Sequence, residues 1–517
     1  MFYSICQIAA LAREEPTGAI ESPDAHAWPA RAPARARPSC GRELVSPARR
    51  DGPRSHPGLP RGPQALPREA VAAHQRERLF KAIVEAVNEQ GFLATTISDL
   101  VSRAGISRRS FYEHFPNKEE CLLAAYDEIV QPLTRRLTEA SRSAADWPGQ
   151  LEAFIRELFE AVGERPDLAR LVCVEMGAAG PVGVQRWAQG AAITQRFISN
   201  GFERAPGQGT IPDPVARAIV GALRRILYSR VRNERSSKAL KAELLRLLPD
   251  LLEWIALYYP SPEGIPSRPR RRRGRGRRAA RGPIGGRAPG TLSPRPLVGA
   301  RGLPPGEHNL PRGFVIYNQR ERIFDAIANL TAASGSSTLS LDEIAAEAAV
   351  SLQTFYTHFA NKQEAFLATY EVGHAKTMAY ITQTLTGQSG WIEAMRAGTG
   401  ALLEFLASEP SYAHLACVDI LIAYPHIADR LDEANAFYSQ LLSLRIGEDA
   451  PALGATPIVG EAIVGGVFEL LQDYILRGDT RELGELGEHI MYIALTPLLG
   501  SERAWAAVTS SGGKRGR

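Results

Sequence analysis

One stretch of the chain returns 244 residues further on. Residues 75–126, QRERLFKAIVEAVNEQGFLATTISDLVSRAGISRRSFYEHFPNKEECLLAAY, align without a gap on residues 319–370, QRERIFDAIANLTAASGSSTLSLDEIAAEAAVSLQTFYTHFANKQEAFLATY, with 20 identities in 52 positions. The offset persists: Trp147 falls on Trp391, RPDLARLVCVEM on EPSYAHLACVDI, and Ile219-Val220-Gly221 on Ile463-Val464-Gly465. A unit of about 190 residues is duplicated whole. Solenoid repeats are ~20–50 residues long, so this period means two complete domains in tandem. Whatever one copy folds into, the other must fold into as well.

Composition separates the copies from what joins them. The 517 residues amount to roughly three domain-lengths at about 150 each. With 44% apolar and 23% charged residues the chain reads as globular. The net charge of +5 hides an asymmetry: +11 over 261–313, but −14 over 314–500. The basic segment, with SRPRRRRGRGRRAARGPIGG, and the Pro/Arg/Ala-rich residues 1–67 lack apolar periodicity. Neither can bury enough surface to offset chain entropy. We expect a disordered N-terminal tail over 1–67, a disordered Arg/Pro/Gly-rich linker over 261–313 and a flexible basic tail over 501–517. The Arg run is a solvated, self-repelling linker that also attracts phosphates in a salt-dependent way.

No stretch approaches the ~18 consecutive apolar residues of a membrane span. The start, MFYSICQIAALAREE, has no basic region before its short apolar run, so neither a signal peptide nor an anchor is expected. Cys6, Cys40, Cys121, Cys173 and Cys417 are far apart, with no metal-ligand spacing. The expectation is a reduced, cytoplasmic protein with no metal site and no membrane partner. No phosphate loop or nucleophile elbow is present, so no catalytic residue and no enzymatic activity is expected.

Each copy opens helically. Phe80, Ile83, Val84 and Val87 recur at i, i+3, i+4, i+7, and Gly91 suits a helix end. Thr96-Ile-Ser-Asp99 and Ser340-Leu-Asp-Glu343 carry the capping-box spacing that starts a second helix. After a tight turn (Gly105, or Ala349), Ser107 and Ser351 cap a third helix, RRSFYEHF or LQTFYTHF. Asn117 and Asn361 cap a fourth. Two short helices joined by a tight turn form a helix-turn-helix, over about 95–114 and 339–358. Ala349 in place of glycine costs something if that backbone needs positive φ. Phe111, Phe115, Phe355 and Phe359 are expected core.

These residues resemble the TetR family of transcriptional regulators. The resemblance rests on T-T-I-x-x-L-x-x-x-A-G-I-S-x-x-S-F-Y-x-H-F-x-N-K-E in copy one and S-L-x-x-I-A-x-x-A-A-V-S-x-x-T-F-Y-x-H-F-x-N-K-x-E in copy two. It implies an all-α fold of two tandem units. Each has an N-terminal three-helix DNA-binding domain, over 68–126 and 314–370, and a helical ligand-binding and dimerisation domain, over 127–260 and 371–500. It implies a DNA-binding surface whose recognition helices enter the major groove. Arg108, Arg109, Ser110 and Glu113 would face bases in copy one, and Leu352, Gln353, Thr354 and Thr357 in copy two. Arg suits guanine, Glu cytosine N4, Gln adenine and Leu a thymine methyl. Tyr112, His114 and Lys118, with Tyr356, His358 and Lys362, match the family's backbone contacts. Thr96 and Ser340 match a phosphate contact at a helix N-terminus.

The second head is the poorer electrostatic match to DNA. Its window, 314–370, holds three basic residues against six acids, whereas 68–126 balances eight against eight. It either reads a different half-site or has lost DNA binding and serves in dimerisation. The resemblance also implies double-stranded DNA as partner, no bound cofactor, and an unidentified small-molecule effector whose ligand residues are unknown. Trp147, Trp187, Trp254 and Trp391 either line its pocket or are core. Family members place the last two helices of this region in a dimer interface, which implies 214–258 and 457–498 here. The 53-residue linker spans about 40 Å r.m.s., so the copies can meet as an intramolecular pseudo-dimer; the other arrangement is a homodimer. The expected function is a ligand-responsive repressor on an asymmetric operator, the alternative a protein-interaction scaffold with a degenerate head.

Overall fold

The computed structural model describes residues 67–204, 211–234, 236–259, 311–335, 339–385, 390–420 and 457–510. The expected tail and linker lie outside these residues, except at their edges. Every regular element among the described residues is helical. Copy one runs α1 (Arg68–Gln90), α2 (Ile97–Ala104), α3 (Arg108–His114), α4 (Lys118–Arg142), α5 (Trp147–Glu164) and α6 (Pro166–Arg170). A π turn, Leu171–Glu175, and a 3-10 turn, Met176–Ala179, lead to α7 (Pro181–Arg204), α8 (Asp213–Asn233) and α9 (Ser237–Ala256). Copy two repeats the order with α10 (Arg312–Ser334), α11 (Leu341–Glu347), α12 (Leu352–His358), α13 (Lys362–Leu385), α14 (Trp391–Ser408) and α15 (Pro410–His414), followed by a π turn, Leu415–Asp419. Its described remainder is α16 (Pro457–Leu476), a 3-10 turn (Thr480–Leu486), α17 (Gly487–Leu499) and α18 (Ser501–Thr509).

Local sequence sets the helix starts. Thr96 and Ser340 each form the full reciprocal capping box with Asp99 and Glu343. Ser107 and Ser351 accept the amides of Ser110 and Thr354, and Asn117 accepts that of Glu120. Gly105 ends α2 at φ 60° and ψ 39°, and Ala349 takes φ 48° at the same turn of copy two. The turn does demand the left-handed region.

Three expectations shift. The buried face of α1 is Leu79, Ala82, Ile83, Ala86 and Val87, with Phe80 and Val84 only half-buried at its edge. Phe80 is partly covered from the solvent side, because the Arg76 guanidinium sits 5.2 Å from its ring. Second, α4 and α13 run unbroken across the expected boundaries after residues 126 and 370, and α10 starts at Arg312. Head and effector region therefore share one continuous helix in each copy, with Pro132 inside that of copy one. Third, residues 501–509 are helix, not a flexible tail. Ala504, Trp505 and Val508 recur on one face and are buried, and Arg396 donates to the last carbonyls, Ala507 at 2.5 Å and Val508 at 3.0 Å. Apolar spacing and a C-terminal cation stabilise the helix despite its basic neighbours.

The two copies meet along α8 and α16, within the segments the resemblance assigned to an interface. They cross at glycine: a Cβ on Gly221 would lie 2.6 Å from the Gly465 carbonyl, and one on Gly465 2.8 Å from the Gly221 carbonyl. Only hydrogen side chains let the backbones approach so closely. Beside the crossing, the Tyr258 hydroxyl, just past α9, donates to the Ile493 carbonyl at 2.9 Å. No helix among the described residues is long and apolar enough to cross a membrane.

Candidate nucleic-acid interface

Each head is assembled from α1–α3, or α10–α12, around two phenylalanines. Phe111 and Phe115, and Phe355 and Phe359, are at most 4% exposed. They anchor one face of the third helix and leave the other outside. On that outer face of α3, Arg108, Arg109, Tyr112 and Glu113 are exposed; on α12, Leu352, Gln353, Tyr356 and Thr357 are. Tyr112 and Tyr356 keep about half their surface, 50% and 54%, in solvent. A helix with a bare polar face and an aromatic keel has the shape needed to enter a groove.

The expected contact residues are not equally available. Arg109 is 91% exposed but its Nε lies 3.2 Å from the Glu113 carboxylate. Such an exposed pair is weak and easily exchanged. Ser110 and Thr354 are half-buried, and their hydroxyls bond those of the capping Ser107 and Ser351 at 3.0 and 2.9 Å. Thr96 is exposed, yet its hydroxyl lies 2.7 Å from Asp99 Oδ2, and Ser340 lies 2.8 Å from Glu343 in the same way. The Thr96 hydroxyl and then its amide hold the Asp99 carboxyl below the usual range; the Ser340 amide and then its hydroxyl do so for Glu343. A phosphate reaching either hydroxyl meets a carboxylate already bound there.

His114 and Lys118, with His358 and Lys362, work inside the heads. His114 Nε2 lies 3.0 Å from Gln75 Oε1 and His358 Nε2 2.9 Å from Gln319 Oε1. Lys118 Nζ donates to the carbonyls of Phe92 at 3.1 Å and Thr95 at 2.9 Å, and Lys362 Nζ to that of Leu339 at 2.6 Å. Burial holds the Lys118 ammonium below its ordinary value. These amines clamp the loop before the motif, so any pull on phosphate competes with that clamp.

Sequence reasoning passed over a set of supports whose signal was in plain view. The tetrapeptide QRER is identical in both copies, at 75–78 and 319–322. Its Gln holds the histidine. Its first Arg lies over the head aromatics, Arg76 5.3 Å from the Phe115 ring and Arg320 4.7 Å from the Phe359 ring. Its second Arg donates to the motif turn, Arg78 to the Gly105 carbonyl at 3.1 Å and Arg322 to those of Ala348 and Ala349. One turn of α1 or α10 thus fixes the third helix, its histidine and the turn before it.

Behind head one, a cavity of about 330 Å³ opens between α4, α5, α7 and α8. Its walls are mostly apolar, with Leu133, Phe154, Phe197 and Leu227, and with Arg136, Arg165 and Arg224 among its polar groups. Trp187 lines it; Trp147 and Trp254 are core instead, and Trp391 is half-buried against the core. Val172 and Cys173 of the π turn also face it. That same turn ends at Glu175, whose carboxylate accepts the Phe92 amide of head one at 3.0 Å. Cavity wall and head are one short step apart.

Comparison with known proteins shows what the two heads are similar to. Residues 79–125 and 323–369 match the family model described as "Bacterial regulatory proteins, tetR family". The HTH-type transcriptional regulator EthR of Mycobacterium tuberculosis is 29% identical over 193 residues, which is 35% of this chain and 87% of EthR. The HTH-type transcriptional activator FasR of Mycolicibacterium smegmatis is 28% identical over 130 residues, 25% of this chain and 58% of FasR. Among solved structures, the transcriptional regulator FadR of Bacillus subtilis is 20% identical, covering 33% of this chain and 96% of that one, at a TM-score of 0.30.

Proposed function

From the premise that this chain is a TetR-family DNA-binding transcriptional regulator with two heads in tandem, we propose that it acts as a covalent pseudo-dimer on an asymmetric operator, as a ligand-responsive repressor. The observation that carries this reading is the pair of outward recognition faces with different chemistry, Arg108-Arg109-Glu113 on α3 and Leu352-Gln353-Thr357 on α12. Arg with two donors on guanine O6/N7 discriminates by about 1–3 kcal/mol. Leu and Gln ask for thymine and adenine instead. The half-sites are therefore unlike, about one helical turn apart. The crossing of α8 and α16 supports the pairing of copies within one chain.

The effector is a small molecule with a largely apolar body, held in the cavity of copy one. It presses on Val172 and Cys173, and the π turn passes the displacement through Glu175 to the Phe92 amide at the base of the motif loop. Such a ligand acts only through unequal affinity for the two head positions. Because FasR is by name an activator, the sign of control is a separate measurement: transcription from the bound promoter, with repression expected.

Footprinting on genomic fragments recovered with the purified chain tests the rest. One chain should protect two unlike half-sites, and Arg108→Ala/Arg109→Ala should abolish protection of the guanine-containing half. Two chains on a symmetric palindrome would contradict the pseudo-dimer. Retention unchanged by the double substitution would favour the scaffold reading, with DNA binding lost from the heads.

A further inference from the structure

The junction between copies carries a charge asymmetry that duplication alone does not require. Along α8, Arg217, Arg224 and Arg230 face α16. Arg217 Nη1 lies 2.6 Å from Asp473 Oδ1, and Arg224 Nη1 lies 3.0 Å from Glu469 Oε2 and 2.5 Å from Gln472 Oε1. Arg230 pairs with Glu461. The three carboxylate side chains are 13%, 7% and 9% exposed, so these are largely desolvated pairs. Arg230 also pairs with Glu243 of its own copy at 3.2 Å and Asp473 with Arg477 at 2.9 Å, so removing a junction partner leaves the other charge short of part of its counter-charge in a largely desolvated site.

The repeat offset says what a like-with-like pairing would meet. Asp473 occupies the position of Ser229, Gln472 that of Tyr228, Glu469 that of Arg225 and Glu461 that of Arg217. The crossing is antiparallel and close to two-fold, with Gly221 against Gly465. Put a second copy one in place of copy two, and Arg224 meets Arg225, Arg230 meets Arg217, and the Asp473 carboxylate beside Arg217 is replaced by the Ser229 hydroxyl. Put a second copy two in place of copy one, and Glu461 meets Asp473 while Glu469 meets Phe468. Each mismatch occurs twice under the two-fold. The Ala-Ile-Val-Gly run at the crossing is common to both copies, but Ala222 of copy one stands where copy two has Gly466, at which a Cβ would lie 2.9 Å from Ala218, so shape joins charge in opposing a copy-one pair.

We infer that α8 and α16 form a discriminating surface on which copy one accepts copy two and rejects another copy one, and copy two accepts copy one and rejects another copy two. The partner this surface fits is the unlike half of the same protein. The inference rests on the pseudo-dimer reading and deepens it: any assembly through this surface presents one head of each kind, never two alike.

The test uses full chains and no DNA, so its failure leaves the DNA-binding reading standing, and failure of the footprint leaves the junction standing. One variant makes both faces acidic: Arg217→Glu/Arg224→Glu/Arg230→Glu. A second makes both basic: Glu461→Arg/Glu469→Arg/Asp473→Arg. A third combines all six changes. Size-exclusion chromatography with light scattering and circular dichroism follow each. Wild type should run as a compact single chain. Each three-residue variant alone should keep its helicity but lose compactness. The six-residue swap should restore a compact single chain, and an equimolar mixture of the two three-residue variants should give a particle of two chains, in which both junctions are again complementary. Three-residue variants as compact as wild type, or a six-residue swap no better than either, would overturn the inference.

Discussion

Gly105 and Ala349 occupy the same turn at φ 60° and 48°. Glycine takes that region freely; an L side chain there costs about 1–2 kcal/mol. Copy two carries this strain in the turn that aims its recognition helix, and Arg322 latches the turn from α10. Ala349→Gly should therefore stabilise head two by about 1 kcal/mol, and Gly105→Ala destabilise head one by a similar amount, measured by denaturant unfolding. Arg109 gives a second residue-scale expectation. Glu113 competes for its guanidinium, so Glu113→Ala should tighten non-specific DNA binding and steepen its salt dependence by about one unit of log-log slope. An unchanged slope would mean Arg109 does not reach phosphate or base in the complex. Both substitutions can be chosen from sequence alone; the QRER contacts that decide how firmly the turn is held could not, because their partners lie about 27 to 39 residues away.

Among elements, α10 and α12 share one titratable contact. Burial, and then the Arg320 charge, hold the His358 imidazole below its ordinary value. The folded head keeps it neutral while the unfolded chain takes up the proton. Stability from this group is therefore present above the ordinary imidazole range and is lost as pH falls from there towards the depressed value. The thermal stability of head two should fall as pH drops below the ordinary imidazole value of about 6.5, and His358→Gln should flatten that part of the profile. The crossing of α8 and α16 is the other sensitive contact. A Cβ on Gly221 would lie 2.4 Å from Glu469 Cβ as well as against the Gly465 carbonyl, so Gly221→Ala must push the helices apart. A loss of about 1–3 kcal/mol is expected, read as a lower unfolding midpoint. The glycines were visible in the repeat, but their opposition was not, since no local pattern says which helix comes to lie against which.

At the scale of the whole molecule, charge is divided between the copies. Copy two carries −14 over 314–500, and its head window holds three basic residues against six acids. Head one should supply most of the phosphate attraction and head two mainly base preference. Arg108→Ala/Arg109→Ala should cost at least tenfold in affinity and lower the salt slope by about two, whereas Leu352→Ala/Gln353→Ala should relax one half-site with little change in slope. Titrations at several salt concentrations separate the two. Equal slopes for both variants would mean that the heads share the electrostatic work despite their composition.

The sequence by itself determined the duplication, the helical class, the caps of α2, α3, α11 and α12, and the split on α3 and α12 between buried phenylalanines and exposed side chains. All of these depend on spacings within a turn or two of helix, or on one copy repeating the other. Tertiary structure decided the rest. It rotated the buried face of α1, folded 501–509 onto Arg396, drew Lys118 and Lys362 inward, joined cavity to head through Glu175, and set three arginines of α8 against the acids of α16. Those outcomes depend on which surfaces meet after long chain closure, and residues more than 200 positions apart leave no periodic trace of their meeting.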